Sequence, residues 1–324
     1  MSDSKPWAFP ERVQPKDQDV AFDLGAALDA VVMLRAHIPE EAFTAPILGT
    51  ERSGNGVVIR EDGLVLTIGY LITEAQSVWL TTNGGATVPG CPLALDFATG
   101  FGLVAPLGRL PAPVMPRGSS ADVAIDEDVI VIGHGGRAHA LKAEVNDKRE
   151  FAGYWEYLLD EAIFTVPAHP EWGGAALVNR QGHLVGIGSL LVQEAVGDAA
   201  MQGNMFVPID LLDPILDELL RHGQTLRPAR PWLGMYVTEE DARCVVIGLA
   251  SGAPAERAGV REGDVVLEVA GAQVSDLADL FRRIWQVGPA GTCVPLTVVR
   301  QGTRLRLDVR SGDRNAFLRR PAMH

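Results

Sequence analysis

The chain has 324 residues, 47% hydrophobic and 21% charged, with a formal net charge of −13. That length is about twice a usual domain, so two domains with ordinary cores are expected and a mainly disordered or fibrous chain is excluded. The acidic balance argues against nonspecific nucleic-acid binding, and it is concentrated before residue 220, where 30 Asp and Glu face 13 Lys and Arg.

Met1 to Lys16 is polar, contains Pro6, Pro10 and Pro15, and lacks the basic-then-apolar order of a secretory leader. No run of about 18 apolar residues offers a membrane span. The expectation is a cytoplasmic chain with no membrane partner. Asp19 to Asp29 reads as a short helix and Ala30 to Leu34 as a strand. Short β-type runs follow, among them Gly56–Ile59, Leu64–Thr67, Val78–Thr81, Val129–Ile132, Ala162–Val166, Ala176–Val178 and Leu184–Ile187, separated by turns such as Glu61-Asp62-Gly63. Many short strands at this spacing predict a mainly β barrel or sandwich. From Pro208 to Arg221 the apolar period becomes helical, ending at His222-Gly223.

Gln224 to Pro231 reads as a linker. Strands are predicted at Val245–Leu249, Val265–Val269, Val294–Arg300 and Arg304–Val309, with a helix over Ser275–Trp285 capped by Ser275 or Asp276. The domain boundaries expected are a tail at 1–18, a first domain at 19–222, a linker at 223–231, a second domain at 232–311 and a tail at 312–324. Cys91, Cys244 and Cys293 are too scattered for a disulfide framework or a zinc site and read as small buried hydrophobes. His134 and His139 are spaced too loosely to define a metal site, and no cofactor or metal is expected.

Trp232-Leu233-Gly234-Met235, Ser251 to Val260, and Arg261 to Gly271 resemble, in that order, a PDZ domain of the kind found in bacterial proteases. The resemblance implies peptide binding at Trp232, Leu233, Gly234 and Met235. An apolar-Gly-apolar turn can aim successive backbone N–H groups at a peptide carboxylate, and the peptide then adds as a strand beside the Ser275–Trp285 helix.

Gly54 to Thr67, Leu95 to Thr99, Arg117 to Ser120, Val129 to Gly133 and Ala176 to Ile187 resemble the trypsin-like domain of HtrA (DegP-like) serine proteases, whose usual partner is a C-terminal PDZ domain. The implied fold is a trypsin-like double β-barrel followed by PDZ. The family hydrolyses peptides with Ser, His and Asp. At the matching positions this sequence has Gly173 for the nucleophile, Tyr70 for the base and Gly100 for the orienting carboxylate, with Glu171 at the oxyanion-hole glycine. The expectation is therefore a protein that is not an enzyme: a pseudoprotease acting as a peptide-binding adaptor, scaffold or regulator for protein C-termini or extended peptides. The alternatives are an endopeptidase with relocated catalytic groups, or a chaperone-like holdase. The family resemblance also implies a possible homotrimer formed through Trp7 and Phe9.

Overall fold

The computed structural model describes residues 7–196 and 199–319. It divides into two compact units. The first holds the described residues up to Arg149 together with Glu161–Thr225, and the second joins Glu150–Asp160 to Leu226–Arg319.

In the first unit, α1 (Leu24–Asp29) is capped by the Asp23 carboxylate, which accepts from the Ala26 N–H. It begins five residues later than the sequence suggests, because Asp17–Asp19 forms a separate 3-10 turn. The first barrel comprises β1 (Val31–His37), β2 (Glu51–Val58), β3 (Val65–Ile68), β4 (Ser77–Thr81), β5 (Thr87–Leu95) and β6 (Phe101–Pro106), with the short helix α2 (Ala45–Leu48) before β2. It closes in the order β1-β2-β3-β6-β5-β4. Alternation sets the faces: Leu34 and Ala36 of β1 are buried while the alternating Arg35 and His37 are exposed. β3 is buried along its whole length.

The second barrel uses β7 (Asp128–Ile132), β8 (Ala140–Gly153), β9 (Tyr157–Val166), β10 (Ala176–Val178), β11 (Leu184–Val196) and β12 (Ala199–Pro208), closed in the order β10-β11-β12-β9-β8-β7. Val131, Val145, Ile163, Leu177, Val185 and Phe206 fill it. β8 is the arm that periodicity does not reveal, because Lys142 to Glu150 is largely charged. Arg149 pairs with the buried Glu194 at 2.9 Å and lies over the Phe164 ring, 3.6 Å from its centroid. After β12, a 3-10 turn precedes α3 (Asp213–His222), which ends at Gly223 in the left-handed conformation.

The second unit's sheet contains β13 (Met235–Glu240), β14 (Arg243–Leu249), β15 (Val265–Val269), β16 (Ala272–Gln273), β17 (Cys293–Arg300) and β18 (Thr303–Arg310), in the order β13-β14-β15-β17-β18 with β16 on β15. Two helices accompany it: α4 (Pro254–Arg257) and α5 (Leu277–Gln286). Asp276 caps α5 by accepting from the Asp279 N–H. Leu280, Phe281 and Ile284 of α5 pack with Val246, Leu296 and Val298 in the core. The cysteine expectation holds only for Cys244; Cys91 is half-buried, and Cys293, at the open start of β17, is exposed.

Candidate functional sites

The turn His169 to Gly174 is held to β2 by Asn55. The Asn55 N–H donates to the Gly173 carbonyl at 2.7 Å, and its side-chain amide donates to the carbonyls of Glu171 at 2.8 Å and Gly173 at 3.2 Å. The side-chain oxygen accepts from the His134 N–H at 2.7 Å. Gly174 has φ +74°, and a Cβ there would lie 1.9 Å from the Asn55 carbonyl oxygen, so only glycine fits.

The structure brings the three sequence-matched positions together. Tyr70 sits on the 3-10 turn after β3, and its hydroxyl donates to the Ser189 carbonyl at 3.1 Å. A side chain beginning at Gly173 would start 2.7 Å from that hydroxyl oxygen. Burial pushes the Tyr70 phenol well above its ordinary range, against a hydrogen bond with the Trp172 side chain. Gly100 has φ +83°, and its carbonyl accepts from the Gly69 N–H at 2.7 Å. Asp96 shapes that turn by accepting from the Thr99 N–H and hydroxyl, both at 2.8 Å. Arg52 supports the Tyr70 turn from behind, donating to the carbonyls of Tyr70 at 2.7 Å and Thr73 at 3.1 Å and to the Thr44 hydroxyl at 2.8 Å. Burial lowers the Arg52 guanidinium to about 10, while Glu74 acts in the opposite direction.

Glu171 does not turn its carboxylate toward Gly173. It accepts from the Trp7 indole N–H at 3.0 Å and lies 3.8 Å from the His139 Nδ1. Its own N–H donates to the His169 Nδ1 at 3.0 Å, and the His169 Nε2 lies 2.9 Å from the His139 carbonyl. With Nδ1 accepting, the proton belongs on Nε2. Burial lowers the pKa of His169. Trp7 and Phe9 pack on this pair: the Trp7 ring lies 4.3 Å from that of His139, and the Phe9 ring 5.1 Å from that of His169. The two aromatics expected at a trimer contact thus have partners within their own chain.

In the second unit, Gly234 has φ +74°, and a Cβ there would meet the Ala253 Cβ at 2.3 Å. Leu233 and Met235 are buried in the core, so they offer the loop's outer side their N–H groups rather than their side chains. Trp232 closes the loop's start by exchanging backbone hydrogen bonds with Gly312 and placing its ring 4.7 Å from that of Phe317. The three amides converge on one carboxylate, that of Glu156, at the tip of the hairpin joining β8 to β9. Gly234 donates to Oε1 at 2.6 Å, Met235 to Oε1 at 3.2 Å, and Leu233 reaches both oxygens at 3.2 Å. Burial pushes the Glu156 carboxyl up to about 7, opposed by these amides and by Arg314. Sequence reasoning missed Glu156, which lies 77 residues from Leu233 in a segment with no PDZ-like pattern.

A trypsin-like peptidase domain model matches residues 54–187, and a PDZ domain model matches residues 231–310. A Synechocystis protein named as the serine protease HhoA is 28% identical over 302 residues, covering 83% of this chain and 71% of its own length. A Halomonas elongata protein named as a periplasmic DegP-like serine endoprotease is 26% identical over 273 residues, covering 80% of this chain and 56% of its own. The chain therefore spans just over half the length of that relative. Among solved structures, the HtrA-type protease AlgW with decapeptide matches 93% of this chain and all of its own, at 20% identity and a TM-score of 0.53. The serine endoprotease from Yersinia pestis matches 91% of this chain and 99% of its own, at 18% identity and a TM-score of 0.51.

The chain is an HtrA/DegP-like protein, a trypsin-like peptidase domain followed by a PDZ domain. That assignment corrects two expectations. The chain was expected not to be an enzyme, yet its relatives are named as serine proteases and endoproteases. Three side-chain positions identify which groups stand at one site; they do not measure turnover. The cytoplasmic expectation falls as well, because the Halomonas elongata relative, like DegP-like relatives in Chlamydia pneumoniae and Pseudomonas putida, is named as periplasmic. Among the described residues no helix is long and apolar enough to cross a membrane, and no group of three or more His, Cys, Asp or Glu side chains is placed to hold a metal ion.

Proposed function

We propose that this HtrA/DegP-like chain works in the periplasm and engages protein substrates by capturing an apolar C-terminal or extended segment at the Leu233, Gly234 and Met235 amides, as an adaptor or regulator. The observation that carries this reading is the convergence of three backbone N–H groups on a single carboxylate. Such a loop supplies charge-assisted donors without a cation. The edge of β13 lies alongside it: β14 is the only strand paired to β13 in its sheet among the described residues, and on the other side the Val237 N–H is held by the Tyr154 carbonyl, so an extended peptide that replaces this contact has an edge to join. The relatives' periplasmic names and the AlgW structure holding a decapeptide support the same reading.

The test is titration of peptides ending in an apolar residue, as free acids and as amidated copies, against the full chain and Gly234→Val. Free acids are expected to bind at about 1–100 μM. Amidated copies are expected to bind much more weakly, and Gly234→Val to abolish binding, because its Cβ meets Ala253 and its φ is left-handed. Equal binding of acids and amides would remove the carboxylate loop from the reading.

A further inference from the structure

We propose that the Tyr154–Glu156 hairpin tip is a built-in ligand of the PDZ carboxylate loop, so that a partner peptide binds by exchange, displacing Glu156 from the Leu233–Met235 amides. This inference rests on the loop being a peptide site, and it defines the state an incoming peptide meets.

Three independent features place the tip as a ligand. First, the Glu156 side chain stands where a terminal carboxylate would be received, with three successive N–H groups directed at it. Second, the backbone register continues. Two residues before Glu156, the Tyr154 carbonyl accepts from the Val237 N–H at 2.9 Å, two residues after Met235. Chain positions fall on one side as they rise on the other, which is the antiparallel relation of a strand added to β13. Third, the flanks are tied down. Leu158 belongs to the core cluster with Leu233, Met235 and Val237, and Ala152 packs against that cluster. Arg282 of α5 pairs with Glu150 and, at 2.8 Å, with Asp160.

The tip also carries costs that a neutral turn would avoid. Glu156 takes φ +59°, a left-handed backbone that non-glycine residues seldom adopt, and its charged group is buried, with 7% of the residue exposed. The four contacts to the loop amides oppose the burial cost without cancelling it. The hairpin is attached at each end, so its effective concentration at the loop is on the order of millimolar or above, and a carboxylate of modest intrinsic affinity suffices to hold the site.

The ligand class follows. The loop accepts a carboxylate on a side chain, presented by a turn, and an entering peptide must supply both a carboxylate and a strand to replace Glu156 and Tyr154. At an occupancy of about 90%, one loop in ten would be free and apparent affinity would fall about tenfold.

The experiment uses the full chain, with Glu156→Ala and Glu156→Gln. A fluorescent peptide with an apolar end and a free carboxylate is titrated into each, alongside its amidated copy. Hydrogen exchange at the Leu233, Gly234 and Met235 amides is read without peptide. Glu156→Ala is expected to bind the free acid about tenfold more tightly than the unaltered chain, and Glu156→Gln, which keeps an acceptor, to fall between. The three amides are expected to be protected in the unaltered chain and to lose protection in Glu156→Ala, while the core amides of β14 and β15 stay protected and show that the unit is folded. Free-acid binding that Glu156→Ala leaves unchanged would overturn the built-in ligand and leave the peptide site standing. Amide protection that depends on Glu156, with no free-acid binding in any variant, would support the contact and defeat the peptide reading. Protection identical with and without Glu156 would overturn the contact itself.

Discussion

Glu156 is the residue on which the second unit's chemistry turns. Arg314 from the C-terminal turn opposes the rise of its carboxyl, and Glu156 in turn acts on the phenol of Tyr236 from β13, which burial raises and Tyr154 of the hairpin also affects. In the docked state its carboxyl is raised to about 7 from the ordinary 4.5, so that state holds more protons than the free one between those values. The added stability is complete below about 4.5 and is lost as pH rises through about 7. The advantage of the unaltered chain over Glu156→Gln in urea unfolding is therefore expected to shrink from pH 5 to pH 8, by at most about 3 kcal/mol. A constant difference across that range would contradict the assignment. Elsewhere, the Tyr70 hydroxyl is buried on the Ser189 carbonyl. Tyr70→Phe is expected to cost about 1 kcal/mol of stability, read by the same unfolding measurement.

Among the elements, the hairpin between β8 and β9 divides its attachment unequally. Leu158 is buried in the PDZ core, whereas the Arg282 pairs are partly exposed, with its partner Asp160 90% exposed. Leu158→Ala is expected to destabilise the second unit by about 2–4 kcal/mol and Arg282→Ala by less than about 1 kcal/mol. Equal losses would mean that surface charge, not packing, holds the hairpin. This hairpin also marks where the sequence stops being readable. The continuous apolar run Val265–Val269 was legible to the residue, while the α5 cap was narrowed to Ser275 or Asp276 and the structure puts it at Asp276. β8 was not legible, because Lys142, Glu144, Asp147, Lys148, Arg149 and Glu150 interrupt its apolar positions, and several of them form ion pairs. The positions Tyr70, Gly100, Gly173 and Trp232–Met235 were named from flanking motifs, and the structure places the side chain that Gly173 would carry beside the Tyr70 hydroxyl. The direction of Glu171 and the arrival of Glu156 were not, since both depend on contacts between segments far apart in the chain: Glu171 with Trp7, 164 residues away, and Glu156 with Leu233.

For the whole molecule, two standard folds carry features of this chain's own. In the first unit an aromatic segment covers His139 and His169 and draws the Glu171 carboxylate to Trp7. In the second, the peptide loop already holds a carboxylate from the same chain. The relatives are named as serine proteases and endoproteases, and the proposed role of the loop is to receive partners that end in a carboxylate. The direct test is a crystal structure of the full chain with a bound free-acid peptide ending in an apolar residue. The peptide carboxylate is expected on the Leu233, Gly234 and Met235 amides, with the peptide strand along β13 and Glu156 displaced. A peptide bound elsewhere, with Glu156 still on those amides, would contradict peptide capture at this loop.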